Sequence, residues 1–169
     1  MKAMIVTASA IAALATLALA APASAQVTGS LGYSAVDADD ATLGAITGRL
    51  GWRSGYFGVE GEFSGGISDD TVAGAKVELK HQFAGYGVLS VPMSESFDLF
   101  ARVGYGQTKI EATAAGFSAS GTENSFNYGA GAQYFIDGKN GIRGDYTRMD
   151  FENGGGDADV WSLSYVRRF

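Results

Sequence analysis

From Val27 to the last residue the chain repeats one pattern, in which large apolar residues alternate with small or charged ones at a period of two. Val27, Leu31, Tyr33 and Ala35 share a parity, with Thr28, Ser30, Gly32 and Ser34 opposite. Ile46, Leu50 and Trp52 oppose Thr47, Arg49 and Gly51; Phe57, Val59 and Phe63 oppose Gly58, Glu60 and Glu62. Val77, Leu79 and Phe83 oppose Lys76, Glu78, Lys80 and Gln82. Phe97, Leu99, Ala101, Val103 and Tyr105 oppose Asp98, Arg102, Gly104 and Gly106, with Phe100 an exception. Three more stretches follow: Phe126 to Ile136, Ile142 to Tyr146, and a last one setting Trp161, Leu163, Tyr165 and Phe169 against Ser162, Ser164 and Arg168. Such runs predict strands with two chemically different faces.

The links between the stretches alternate in character. Arg53 to Gly55, Pro92 to Ser96, and Asp137 to Gly141 with its Asp-Gly signal are tight. Between them fall Asp37 to Ala41, Gly65 to Gly74, Glu111 to Thr122 and Glu152 to Ala158, three of them longer. Short and long links at opposite ends suit an up-and-down meander. Tyr86 and Val88 break the parity of Leu79 and Phe83, so a bulge or slip is expected between His81 and Val91.

The first 25 residues read differently. Lys2 precedes an apolar run from Ile11 to Ala21, and Pro22-Ala-Ser-Ala25 closes it. A charged start, an apolar middle and an Ala-x-Ala end predict a signal peptide over residues 1–25, cut between Ala25 and Gln26. Residues 26–169 then form one domain. Losing Lys2 leaves 11 of the 12 basic residues against 18 acidic ones, a net charge of −7, which argues against nucleic acid as a partner. All 25 glycines fall after the cut, and there is no cysteine, so an exported domain must hold together by backbone pairing and burial.

Which face is buried decides the class. The apolar face carries Trp52, Phe57, Phe97, Tyr105, Tyr134, Trp161 and Phe169, mostly toward strand ends. The other face is rich in Gly, Ser and Thr, and carries Arg49, Glu60, Glu62, Lys76, Glu78, Lys80, Arg102, Arg143 and Asp145. Aromatic girdles, an apolar outside and a polar inside are the pattern of a transmembrane barrel; a soluble lipocalin-like barrel would invert it. The expected fold is therefore all-β, an eight-stranded antiparallel up-and-down transmembrane β-barrel. Nine ionisable residues in so narrow a tube must pair, because lone buried charges are costly. A salt-bridged plug follows, with a narrow or gated small-solute channel as the alternative.

The whole of residues 26–169 resembles the small eight-stranded outer-membrane barrels of Gram-negative bacteria, the OmpA/OmpX-type barrel domain. Gly58-Val-Glu-Gly-Glu62, Leu99-Phe-Ala-Arg-Val-Gly-Tyr-Gly106, Arg143 to Tyr146 and Tyr165 to Phe169 carry the resemblance. It implies an integral outer-membrane protein with a structural or surface-contact role, a monomer in contact with membrane lipid and lipopolysaccharide. It further implies that Trp161, Leu163, Tyr165 and Phe169 form a terminal signal read by the outer-membrane assembly machinery. Arg167 departs from the family pattern, standing where another apolar residue is usual. A larger relative would continue into a periplasmic domain; here a barrel alone is expected.

Candidates for chemistry are poor. Asp37-Ala-Asp-Asp40 and Asp157-Ala-Asp159 lack the spacing of a calcium loop. Gly104-Tyr-Gly106 has no phosphate-loop context and reads as relief of crowding inside the barrel. A lipid A-modifying enzyme needs a base beside a Ser and an acid, and the one histidine, His81, falls on the lipid-facing parity. No catalytic residue, metal site or cofactor is expected.

Overall fold

The computed structural model describes residues 25–38, 41–72, 75–114, 117–152 and 156–169, with side chains described for all of these but 41, 69–78 and 112–119. Nine strands follow one another: β1 (Ala25–Ala38), β2 (Ala41–Ser54), β3 (Phe57–Gly66), β4 (Asp69–Val72), β5 (Ala75–Pro92), β6 (Phe97–Ala114), β7 (Phe117–Phe135), β8 (Asn140–Phe151) and β9 (Asp157–Arg168). Each pairs antiparallel with its neighbour in sequence, except that β3 and β4 both pair with β5. These two are successive pieces of one stave, so the wall has eight. β1 pairs with β9, Leu31 opposite Tyr165 and Tyr33 opposite Leu163, and this seam closes the barrel. Closure matters in lipid, where an open edge leaves backbone groups without partners.

The seam is tight at Gly32. A Cβ there would lie 2.1 Å from the Leu163 carbonyl oxygen, so only glycine lets the first and last strands approach at that point. Phe169 donates its amide to the Val27 carbonyl at 3.0 Å, carrying the pairing past the end of β9. Its ring covers Gly29 on the outside of β1. The tight links are turns: Gly55 and Gly138 take φ of 64° and 77°, which glycine adopts without strain. Asp137 caps the second of these turns, accepting the amides of Lys139 at 2.9 Å and Asn140 at 2.5 Å. The Asn140 amide chiefly, with its side chain and the Lys139 amide, holds the Asp137 carboxyl down to about 2.

Parity behaves as a two-faced wall requires. Leu31, Trp52, Phe57, Leu99, Tyr134, Leu163 and Phe169 are exposed on the outside, while Arg49, Glu60, Glu62, Arg102, Arg143 and Asp145 are buried within. Outer aromatics gather at two heights, with Phe63 against Phe83 (4.9 Å between ring centroids) and Tyr146 against Trp161 (4.8 Å) on the loop side. Trp161 to Phe169 is nine residues, or about 20 Å along the axis at the usual rise and tilt, close to the apolar band of such barrels. Among the described residues no helix is long and apolar enough to cross a membrane; strands do the crossing.

Several expectations need correction on the long side of the barrel. The irregularity in β5 lies between Leu79 and His81, just upstream of the predicted stretch: Leu79 pairs with Ile110 and His81 with Lys109, leaving Lys80 as the extra residue. This bulge flips parity. Leu79 points inward and is 2% exposed, whereas Phe83 faces out, so the two do not share a face as expected. Tyr86 is therefore no break but an inward residue in phase with Gln82 and Ser90. Much of Gly65–Gly74 and of Glu111–Thr122, expected as loops, is strand: β4 occupies Asp69–Val72, and β6 and β7 continue to Ala114 and from Phe117.

Those extensions give the wall an uneven rim. β5, β6 and β7 run 18, 18 and 19 residues, against 12 each for β8 and β9. Pairing of β7 with β8 starts at Ser125 opposite Phe151. Residues Phe117–Asn124 thus project past β8, paired on the β6 side only among the described residues.

Candidate functional site

The lumen is stacked in layers, and its middle layer is ionic. Arg49 of β2 sits directly across the β2–β3 pair from Glu62 and binds it through Nε at 2.6 Å. Its Nη2 reaches Asp145 at 3.2 Å, and Ser162 and Ser164 accept from the same guanidinium. Arg102 crosses from the opposite wall on β6. Its Nη1 touches Glu60 at 3.0 Å and Glu62 at 2.8 Å, its Nη2 touches Asp145 at 3.1 Å, and its Nε donates to Thr147. Arg143 holds both oxygens of Glu60, at 2.5 and 3.0 Å, and binds Asp145 through Nε at 3.0 Å.

Three guanidinium groups thus face three carboxylates, and none of the six side chains is more than 6% exposed. The charge cancels within the layer. Arginine cannot shed its proton, so neutrality here comes from pairing rather than from titration. Two aromatic faces complete the packing: the Arg102 guanidinium lies 4.3 Å from the Tyr86 ring centre and that of Arg143 lies 4.2 Å from Phe100. Phe100, out of step in the alternation, is inward because it floors Arg143. Tyr86 also donates its hydroxyl to Glu62 at 3.3 Å.

The structure brings together six of the nine charges expected inside: Arg49, Glu60, Glu62, Arg102, Arg143 and Asp145. Lys80 is a correction. Placed by the bulge, it pairs with Glu111 at 3.7 Å, both side chains 33% exposed, away from this layer. The side chains of Lys76 and Glu78 lie outside the described residues.

A second ionic centre near the turn end was not among the candidates. Asp98 of β6 is 1% exposed, and its Oδ2 accepts from Arg53 of β2 (3.1 Å), Gln133 of β7 (2.9 Å) and Arg168 of β9 (2.7 Å). Arg53 also donates to Gln26 of β1 at 2.6 Å. One carboxylate on the sixth strand therefore binds side chains of the second, seventh and last, and Arg53 carries the contact on to the first. The Arg168 guanidinium lies 3.6 Å above the Phe135 ring. Parity carried the signal, since Asp98 and Arg168 both fall on the inward register. Arg53 was read as part of a turn.

Toward the loop end a hydroxyl ring joins Ser162, Ser34, Thr47 and Ser64 through contacts of 2.7, 2.7 and 2.8 Å. An apolar belt of Val36, Leu43, Ala45, Leu79, Met149, Ala158 and Val160 lies beyond it. On the turn side a cavity of about 30 Å³ opens among Gln26, Arg53, Ser90, Phe100 and Gln133, and its lining includes Glu60 and Arg143 of the ionic layer.

Little of this is arranged for catalysis. Each carboxylate of the middle layer is held by two or three arginines. The His81 ring sits on the outer face, 5.6 Å from Phe83. Asp157 and Asp159 both bind Arg148, Asp37 accepts from Thr42, and Asp39 and Asp40 lie outside the described residues. Among the described residues no group of three or more His, Asp or Glu could hold a metal ion. Gly104 and Gly106 relieve crowding: a Cβ at Gly104 would lie 2.0 Å from the Gly85 oxygen.

A closed eight-stave antiparallel barrel, apolar outside and ion-paired within, is the architecture of the small outer-membrane barrels. The chain belongs to the outer membrane protein β-barrel domain family, whose model matches residues 4–169. It is an integral protein of the Gram-negative outer membrane. Among solved structures, it is similar to the attachment invasion locus protein Ail of Yersinia pestis, crystallised with the heparin analogue sucrose octasulfate. The two are 21% identical at a TM-score of 0.64, over 86% of this chain and 99% of that one. The N-terminal β-barrel domain of Pseudomonas aeruginosa OprF is 11% identical at 0.65, over 86% and 98% of the two chains. Neisserial surface protein A is 8% identical at 0.61, over 86% and 96%. No curated protein matches the chain.

Proposed function

We propose that this barrel is a non-enzymatic, monomeric envelope protein that stiffens the membrane with its plugged body and makes contacts through its projecting rim. The observation that carries the reading is the rim itself. β5, β6 and β7 run well beyond the apolar band, and β7 offers Phe117–Asn124 as a strand edge unpaired by its neighbour. An open edge in water is a template for an added strand. In such barrels the short turns face the periplasm and the longer connections face outward, which puts the rim on the cell surface.

Charge narrows the partner. The loop-end stretches 37–40, 69–80, 109–123 and 148–159 hold twelve acidic against four basic residues. A basic or neutral protein surface fits this rim, whereas a sulfated saccharide of the kind crystallised with Ail does not. Export and assembly belong to the same reading. Residues 1–25 are removed between Ala25 and Gln26, residues 26–169 fold, and Trp161, Leu163, Tyr165 and Phe169 present an outward apolar row to the assembly machinery. Lipopolysaccharide meets the outer half of the band.

The experiment replaces residues 110–121 by a two-residue turn and compares expressing cells on matrix-protein and heparin surfaces. The full rim is expected to retain cells on the protein surface and not on heparin, and the trimmed rim on neither. Equal retention by both forms, or retention on heparin, would contradict the reading. Tags at Asp69, Gly116 and Gly155 should be labelled on intact cells, and tags at Ser54 or Lys139 only after permeabilisation. The channel reading rests on the turn-side cavity, whose lining includes Glu60 and Arg143 of the ionic layer.

A further inference from the structure

Between the ionic layer and the loop end the lumen has two unlike walls. Beyond the hydroxyl ring, Leu43 of β2, Met149 of β8 and Val160 of β9 turn apolar side chains inward, joined by Leu79 of β5. The wall of β5, β6 and β7 also carries Gln82, Thr108, Ser125 and Asn127, all buried and all polar. Their placement is set by register. Gln82 lies directly opposite Thr108 across the β5–β6 pair. Thr108 lies opposite Glu123 on β7, so Ser125 is its diagonal neighbour on the same face, and Asn127 is the next inward residue along β7.

Three oxygens in this patch, Thr108 Oγ1, Ser125 Oγ and Asn127 Oδ1, are shut away from solvent and have no hydrogen-bond partner in the protein. Buried polar atoms are almost always satisfied, because leaving one unpaired forfeits its hydration without return. Three such atoms on adjacent inward positions are a shared deficit. Diagonal neighbours across a strand pair stand about 7 Å apart at Cβ, less at the side-chain tips. One water molecule making two hydrogen bonds of about 2.8 Å spans that gap.

The geometry points to a two-water site in the β6–β7 wall, one water bridging Thr108 Oγ1 to Ser125 Oγ and the next bridging Ser125 Oγ to Asn127 Oδ1. Asn127 Oδ1 can only accept, while the two hydroxyls both donate and accept. Water, which does both, matches this set. None of the three groups is charged, so neither an anion nor a divalent cation finds its counterpart here. The remaining valence of the amide fixes the site's role: Asn127 Nδ2 donates to the Tyr86 hydroxyl at 3.2 Å, which donates to Glu62 at 3.3 Å. Bound water thus extends the hydrogen bonds of the ionic layer along one wall, while the apolar belt keeps the other wall dry.

The test uses the folded full-length barrel in lipid nanodiscs. Through-space magnetisation transfer from water should reach the backbone amides of Thr108, Ser125 and Asn127 with the sign of a long-lived contact, and should miss that of Val160. Stability supplies a second readout with a sign. If water completes the bonding, Ser125→Ala and Thr108→Val each lose a hydrogen bond and lower the folding equilibrium constant by about five- to tenfold, whereas Thr108→Ser stays near wild type. If the oxygens are bare, the same apolar variants relieve a burden and raise it. No water contact at the three amides, or unchanged or raised stability in the apolar variants, overturns the site.

Discussion

The membrane band and the projecting rim are parts of one continuous sheet, yet they are held by different forces. In the band, each strand has lipid on one side and a lumen closed to bulk water on the other. An inward charge must find a partner there, and among the described residues three arginines pair with three carboxylates at the centre and Asp98 with two arginines near the turns. In the rim, residues 120–124 of β7 are exposed, and the hairpin is held by its ladder, from Ser125 opposite Gly106 out to Phe117 opposite Ala114, with Gln107 donating to Asn124 and Lys80 pairing with Glu111. The contrast leads to the expectation that lumen pairing and lipid exposure, rather than strand length, set the stability of the fold. Cutting the band should be costly and cutting the rim nearly free.

The largest effect is expected at the centre. Arg102→Ala leaves Glu60, Glu62 and Asp145 with one fewer cation each, and breaking a buried pair costs about 3–5 kcal/mol, less where water enters. Urea unfolding of the refolded barrel measures it. On the outer face of the same band, Leu163→Arg places a charge in lipid near mid-height, at a cost of about 2–4 kcal/mol; its folded, heat-modifiable form on a gel should fall accordingly. Asp98→Asn keeps the shape of the turn-end hub but removes the charge shared by Arg53 and Arg168. The loss of charge-assisted bonding is about 1.5–3 kcal/mol, and it should appear as easier unfolding with export intact. Deleting Phe169 removes the last rung to β1 and the cover over Gly29, so the folded fraction in the membrane should drop.

Replacing residues 110–121 by a tight turn is the opposite case: unfolding of the band should stay within about 0.5 kcal/mol of wild type, as for surface changes remote from the core. A larger loss would show that rim and band fold as one unit. The smallest effect belongs to the turns. The Asp137 carboxyl is held down to about 2 by the amides it caps, so its contribution is complete above the ordinary carboxylate range and is lost as the pH falls toward 2. Asp137→Ala should lower stability slightly at neutral pH, where the cap is complete, and flatten its pH dependence between about 4 and 2.

The same contrast explains what the amino-acid order revealed. Arg49, Glu60, Glu62, Arg102, Arg143 and Asp145 were legible because each is a charge on the inward parity of a strand with lipid behind it. Lys80 was not, because one extra residue between Leu79 and His81 reverses the parity and nothing local marks the bulge. The rim reads as loop because Ser118, Ala119, Ser120, Gly121 and Thr122 carry no alternation of large apolar and polar residues. The Asp98 hub depends on which residues meet across the lumen. That is fixed by the shear of the closed barrel, which no single strand encodes.

The central claim, a lumen blocked by a charge-balanced layer, is tested most directly by current. Purified wild-type barrel reconstituted in a planar bilayer should show no steady conductance above that of the bare membrane, since eight strands leave an interior that side chains fill. A large, stable single-channel current from the wild type would contradict the plug and make the channel the better account.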